Sequence, residues 1–189
     1  LDLFDTDNTV LVPDPVYPVY VDTNRMAGRQ VRYLDASREN GFLPMPEEGV
    51  RADLIYLCSP NNPTGVVYSR QTLGGLAELL RRKSTQFGHP IYLIADEPYR
   101  ELVYDGVEVP FLPTIYPNTL VCYSYSKSLS LPGERIGYVC VPSCVEGQAD
   151  VLHAVAGAAR SSGHVCPPTL VQLALQRCAD ARPDLAAYD

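Results

Sequence analysis

The chain has 189 residues, of which 46 % are hydrophobic, and its formal net charge at pH 7 is −7. This length suits one domain with a sizeable core. No apolar run approaches the ~20 residues of a membrane-spanning helix. The negative net charge and the lack of a long basic run argue against a nucleic-acid partner. The six cysteines form no CxxC pair, so we expect buried, reduced thiols in a cytoplasmic protein without a signal peptide.

Apolar runs alternate with amphipathic stretches along the chain, which predicts a three-layer α/β/α fold with a mostly parallel sheet. We expect Pro13 and Pro15 to end the first strand, and we expect residues 35–50 to form a surface loop. Ser69 is expected to cap the second helix, which ends at a solvated Lys83. The expected strands are 9–12, 30–34, 53–58, 91–95, 119–123 and 136–141, and the expected helices are 17–26, 70–83, 145–160 and 169–179.

Polar clusters follow four of the predicted strands, each at the point where the strand ends. They are residues 14–17, 59–65, 96–99 and 124–135. In open α/β sheets the ligand binds at the carboxyl ends of the strands. The four clusters therefore predict one site for an anionic, aromatic or carbonyl ligand.

Lys127 is one of two lysines in the chain and directly follows an apolar run that predicts a buried strand. A desolvated amine has a lowered pKa, which makes it a nucleophile at neutral pH. Taken alone, Lys127 also suits a surface lysine that ends an edge strand.

Three motifs in order carry a resemblance to a known family. They are Asn-Asn-Pro-Thr-Gly at 61–65, Asp-Glu-Pro-Tyr at 96–99, and Ser-Tyr-Ser-Lys at 124–127 with Arg135 downstream. In this order they resemble class I/II aminotransferases, pyridoxal-phosphate enzymes of the aspartate-aminotransferase fold (fold type I). Residues 14–20 also resemble the diaminopimelate-aminotransferase-like branch, and the resemblance extends from about residue 10 to 179.

The resemblance implies a role for each motif residue. Lys127 would form the internal Schiff base with pyridoxal 5′-phosphate and move a proton between Cα and C4′. Asp96 would pair with the pyridine nitrogen and keep it protonated. Tyr99 and Asn62 would donate hydrogen bonds to the phenolic oxygen of the ring.

The remaining family positions concern the phosphate and the ring face. Ser124 and Arg135 match the phosphate ligands, since a guanidinium suits a phosphate dianion, and Tyr17 matches the aromatic that stacks on the ring. Each motif residue also has a structural interpretation, as a half-buried tyrosine, a turn residue or the partner of an acid. We expect no metal site, because the three histidines lack ligand spacing. Four further residues are expected to have structural roles: Tyr20, Glu97, Arg100 and Ser126.

Three parts of the family are not recognised in the sequence. These are the glycine-rich phosphate turn, the arginine that binds the substrate carboxylate, and the segment that reaches the partner subunit. We therefore expect residues 1–189 to be the core of the large cofactor-binding domain of a longer, homodimeric protein, without full activity by itself.

The implied activity is the transfer of an amino group between an amino acid and a 2-oxo acid, both small-molecule partners. Three alternatives stay open. C–S lyases of the same fold use the same lysine, aspartate and arginine, but release ammonia and pyruvate. Some transcription regulators carry an aminotransferase-like sensor beside a DNA-binding segment. A domain separated from the rest of its protein could also bind no cofactor.

Overall fold

A computed structural model describes residues 3–43, 45–46 and 51–178 of the chain. Its strands are β1 (Thr9–Asp14), β2 (Gln30–Asp35), β3 (Leu54–Cys58), β4 (Tyr92–Asp96), β5 (Thr119–Ser124) and β6 (Gly137–Cys140). Its α-helices are α1 (Pro18–Met26), α2 (Arg70–Phe87), α3 (Tyr125–Ser128), α4 (Gln148–Ser161) and α5 (Thr169–Arg177). Short 3₁₀ turns occur at Leu112–Thr114 and Pro132–Glu134.

The strands form one sheet in the order β2-β1-β3-β4-β5-β6, in which only β6 runs antiparallel to its neighbour. The pairing register places Asp96 of β4 beside Cys58 of β3 on one side and Cys122 of β5 on the other. The prediction of an α/β fold with a mostly parallel sheet is confirmed. The carboxyl ends of β3 and β4 consequently lie level at one edge of the sheet, and β5 continues two residues past them at the same edge, to Ser124.

Both faces of the inner strands β1, β3 and β4 are covered, because consecutive residues, which point to opposite sides of the sheet, are buried in each of them. On one face Leu11 and Ile55 belong to the apolar cluster that includes the leucines of α2. On the other face Val10 and Leu54 pack in a second cluster with Val21 of α1. These two clusters hold the strand ends in fixed positions.

The first strand ends directly before Pro15, as expected, but Pro13 does not end it. β1 continues through Pro13, which pairs with Leu34 of β2, and ends at Asp14. β1 pairs with β3 only at Val10 and Leu11. Pro13 therefore has a strand neighbour on one side alone, where a residue that lacks a backbone N–H is tolerated.

Lys83 is buried at 2 % exposure, so the expectation of a solvated lysine was also wrong. Ser69 caps α2 as predicted, its Oγ accepting a hydrogen bond from the Thr72 N–H at 3.1 Å. The helix then continues past Lys83 to Phe87, whose ring centroid lies 5.7 Å from the Lys83 ammonium. The extra helical turn covers the lysine, and its stem packs as an apolar chain.

All six cysteines are free thiols, as expected, but the expectation that they are buried holds only in part. Cys58 is buried, whereas Cys144, Cys166 and Cys178 are exposed. No helix in the described ranges is long and apolar enough to cross a membrane. Residues 44 and 47–50 of the expected loop, and residue 179 of the last expected helix, lie outside the described residues.

Candidate active site

Asp96 is the last residue of β4 and lies in the middle of the level strand ends. Burial raises the pKa of Asp96, and a hydrogen bond from the Tyr20 hydroxyl to its Oδ2 partly offsets this rise. No lysine or arginine of the described ranges forms an ion pair with Asp96. A half-buried carboxylate without a cationic partner is suited to bind a positively charged N–H group of a ligand.

Tyr20 reaches Asp96 because the loop after β1 leads directly into α1. Its ring stacks on Tyr56 of β3, with centroids 5.0 Å apart and an interplanar angle of 17°. The ring of Tyr17 meets the ring of Tyr20 edge-on, with centroids 5.7 Å apart. Burial and the charge of Asp96 raise the pKa of Tyr20, so the phenol stays protonated and remains a donor to the carboxylate.

The two thiols beside Asp96 are also neutral groups. Burial, followed by the charge of Asp96, raises the pKa of Cys58 to about 11 and that of Cys122 to about 12. The Cys58 Sγ lies 3.1 Å from the carbonyl oxygen of Pro60. Asp96 is consequently the acidic group of this cluster, since the two thiols and the Tyr20 phenol stay protonated.

Three of the predicted site residues, Asn62, Tyr99 and Lys127, come together at the same edge of the sheet. The Asn62 Nδ2 donates to the Tyr99 Oη at 3.4 Å, and the Lys127 Nζ lies 5.8 Å from the centroid of the Tyr99 ring. Burial raises the pKa of Tyr99, while the hydrogen bond from Asn62 lowers it. The loops after β3, β4 and β5 thus each bring one polar side chain to the same place.

Lys127 is exposed, so the expectation of a desolvated amine was wrong for this chain. The cause is the local structure. β5 is buried over its first three residues and half-buried over the rest, and it passes straight into the one-turn helix α3 that carries Lys127. The strand is buried as predicted at its start, but the lysine lies beyond the buried part.

Ser124 is the last residue of β5, and its side chain caps the helix α3 that follows. The Ser124 Oγ accepts a hydrogen bond from the Ser126 N–H at 3.1 Å, and the two hydroxyl oxygens lie 2.7 Å apart. Arg135 is exposed, and its Nη1 donates to the carbonyl oxygen of Pro132 at 2.8 Å. The structure therefore places Arg135 against its own turn, and its phosphate role stays a prediction, as does that of Ser124.

Glu97 and Arg100 form an ion pair with Arg100 Nε 3.2 Å from Glu97 Oε2, in keeping with their structural interpretation. Tyr20, by contrast, was expected to be structural, but it contacts the central carboxylate of the site. One signal pointed to it. Tyr17 and Tyr20 are three residues apart at the start of a predicted helix, which puts both rings on one face, directly after a strand end.

The sequence model of the family "Aminotransferase class I and II" matches residues 3–187. The chain belongs to this family. The curated LL-diaminopimelate aminotransferases of Desulforapulum autotrophicum and Desulfotalea psychrophila are 35 % and 34 % identical to it. Those matches cover 80 % and 82 % of this chain, and 40 % of each relative. The predicted membership is confirmed, and the chain spans less than half the length of these relatives.

Solved structures give the same result for the fold. An aminotransferase from Eubacterium rectale superposes with a TM-score of 0.90 at 44 % identity, over 98 % of this chain and 48 % of that one. A mutant aspartate aminotransferase from Thermus thermophilus superposes with a TM-score of 0.78 at 30 % identity, over 94 % of this chain and 47 % of that one.

Proposed function

We propose that this chain is the pyridoxal-phosphate-binding core of an aminotransferase, which moves an amino group between an amino acid and a 2-oxo acid. Asp96 carries the proposal. It is a half-buried carboxylate at the centre of the strand ends, hydrogen-bonded by Tyr20 and without an ion-pair partner in the described part of the chain. Such a group suits the N–H of a protonated pyridine ring.

The surrounding donors fit the other parts of this cofactor. The Asn62 amide and the Tyr99 phenol, 3.4 Å apart, offer two donors to a ring oxygen. Ser124 and Arg135 would hold the phosphate, and the exposed ring of Tyr17 is available for the ring face. Lys127, beside Tyr99, would supply the amine that attaches the aldehyde carbon.

When bound, the cofactor draws electrons from the substrate Cα and so makes its proton removable. The chain's own residues have two tasks in that reaction. Asp96 as a carboxylate would keep the pyridine nitrogen protonated, and the hydrogen bond from Tyr20 favours this charged form because it opposes the rise in the pKa of Asp96. Once the amino group of the substrate has replaced it on the aldehyde carbon, the freed Lys127 amine would remove the Cα proton and return it at C4′.

We propose further that residues 1–189 are the core of the large domain of a longer protein, as the partial coverage of the relatives supports. That this protein is a cytoplasmic homodimer is proposed from the family alone. Two relatives are named LL-diaminopimelate aminotransferases. LL-Diaminopimelate is therefore the first amino donor to test.

A single-turnover experiment tests the reaction. The chain is loaded with pyridoxal phosphate and mixed with LL-diaminopimelate or aspartate, while the absorption of the cofactor and the products are followed. We expect conversion to the pyridoxamine form together with a 2-oxo acid, and none of this in Lys127→Arg. A parallel reaction with cystathionine, which carries the sulfur leaving group that the two amino acids lack, tests the lyase. Release of homocysteine, ammonia and pyruvate from cystathionine, without conversion of LL-diaminopimelate or aspartate, would contradict transamination and favour a C–S lyase.

A further inference from the structure

Tyr123 hydrogen-bonds to the two turns that meet at Lys127. Its Oη lies 2.9 Å from Oε2 of Glu101 and 2.8 Å from Oγ of Ser128. A phenol has one proton, which goes to the carboxylate as the stronger acceptor, so the Ser128 hydroxyl donates its own proton to Tyr123. We call Glu101, Tyr123 and Ser128 the Tyr123 cluster.

The Tyr123 cluster links the same two segments of the chain as the contact between Tyr99 and Lys127. Glu101 follows Tyr99 in the turn after β4, and Ser128 follows Lys127 in α3. The Lys127 Nζ lies 5.8 Å from the Tyr99 ring centroid. Glu101 therefore attaches the turn that carries Tyr99 to Tyr123, and Ser128 attaches the helix that carries Lys127 to the same hydroxyl.

The helical turn that carries Lys127 depends on such an attachment. α3 has four residues, too few for a helix that is stable by itself. Ser128 is buried at 4 % exposure, whereas Lys127 next to it is exposed. Ser128 is thus the buried point at which α3 is fixed to the sheet.

We propose that the Tyr123 cluster is a positioning device for Lys127. It fixes α3 to the turn after β4, so that the lysine amine is held beside Tyr99. The role toward the cofactor rests on the proposed function, whereas the ordering of α3 does not. Tyr123, Glu101 and Ser128 act through Lys127 as positioning residues.

Packing of the Tyr123 ring makes a clean substitution possible. The ring stacks on Tyr138 at 5.1 Å and meets Tyr125 edge-on at 5.2 Å. Tyr123→Phe keeps these ring contacts and removes only the hydroxyl. Tyr138→Phe is the matched control, because the Tyr138 hydroxyl makes no hydrogen bond to the described residues.

Hydrogen exchange of the cofactor-free chain tests the ordering. The amides of Leu129 and Ser130 donate to the carbonyl oxygens of Tyr125 and Lys127 and report on α3. We expect Tyr123→Phe to speed their exchange about tenfold, since it removes a hydrogen bond to a charged group, and Tyr138→Phe to leave it unchanged. Ser128→Ala, which loses one bond of the cluster, should show the same direction. Unchanged exchange in both cluster variants would overturn the proposal.

Borohydride trapping of pyridoxal phosphate on Lys127 tests the positioning. We expect trapping to be about tenfold slower in Tyr123→Phe and in Glu101→Ala, and partly restored in Glu101→Gln, which keeps an acceptor for the phenol proton. Faster exchange with unchanged trapping would reduce the cluster to a structural contact and overturn the positioning role. A wild-type chain that traps no cofactor would contradict the proposed function, while the exchange result would still decide whether the cluster orders α3.

Discussion

The phenol of Tyr20 donates its proton to Oδ2 of Asp96, and this hydrogen bond joins α1 to the end of the inner strand β4. The two residues are 76 positions apart in the sequence. Burial raises the pKa of Asp96, and Tyr20 is the group that opposes this rise. Tyr20 thus favours the charged form of a half-buried carboxyl, which the proposed function requires.

Substitution of Tyr20 by Phe should raise the pKa of Asp96 further. The change keeps the ring that stacks on Tyr56 but removes the hydrogen bond to the carboxylate. We also expect the free energy of unfolding to fall by about 1–2 kcal/mol. A carboxyl-carbon NMR titration and urea denaturation measure the two effects.

Tyr17→Phe is the control for this substitution. Tyr17 touches the same ring, but its hydroxyl makes no hydrogen bond to the part of the chain that the structure describes. Its effect on both quantities should be small. An Asp96 pKa that stays the same or falls in Tyr20→Phe would show that the phenol does not stabilise the charged form.

Glu97 should make the folded chain less stable as the pH rises. Burial raises its pKa from near 4.5 to about 7, although Arg100 lowers it in part. The folded state therefore binds the proton more tightly than the unfolded state does. Stability from this group is fully present below pH 4.5 and is lost as the pH rises through about 7.

Between pH 4.5 and about 7, the free energy of unfolding should fall by an amount on the order of 3 kcal/mol. Urea denaturation at several pH values measures it, and Glu97→Gln should flatten the profile because the amide does not titrate. Asp96, whose pKa is also raised, should leave a smaller slope of the same sign in this variant. A wild-type profile that rises from pH 5 to 7.5 would contradict the assignment.

Gly137→Ala should separate β5 from β6. A Cβ at this position would collide with the backbone oxygen of Tyr123 and lie 3.2 Å from the Cα of Ser124. We expect a loss of about 1–3 kcal/mol in the free energy of unfolding. Gly157→Ala in α4, where nothing lies within 4 Å, is the control and should stabilise the chain slightly. Equal stability of the two variants would argue against the β5–β6 pairing.

Thiol alkylation should divide the cysteines into two groups. Cys144, Cys166 and Cys178 are exposed, whereas Cys58 is buried with its pKa raised to about 11. Because the thiolate is the reactive form, iodoacetamide at pH 7.5 should modify the exposed three first. Peptide mass spectrometry reads the order, and the urea-unfolded chain, in which the cysteines should react alike, is the control. Early modification of Cys58 would contradict its burial.

The sequence predicted the sheet well because a buried parallel strand is a continuous apolar run with few alternatives. β3, for example, differs from its predicted range only in starting at Leu54. Pro13 shows the limit of this reasoning. Whether a proline ends a strand depends on which sides carry neighbours, and that is a property of the assembled sheet.

The sequence predicted which segments form the candidate site, but not the side-chain contacts and burial within it. Polar motifs at strand ends had to meet, because parallel strands end at one edge, and Asn62, Tyr99 and Lys127 do meet. Burial of single side chains could not be inferred in the same way. Lys83 and Lys127 exchange their expected environments, since burial depends on what packs over each side chain rather than on its own sequence neighbours.

The two lysines also provide the most direct test of the central claim, that Lys127 holds pyridoxal phosphate. The measurement is an absorption titration of the chain with the cofactor, followed by dialysis, borohydride reduction and peptide mapping, in wild type, Lys127→Arg and Lys83→Arg. We predict a band near the edge of the visible range that survives dialysis, maps to Lys127, persists in Lys83→Arg and is absent in Lys127→Arg. A band of equal strength in Lys127→Arg, or a label on Lys83, would contradict the site.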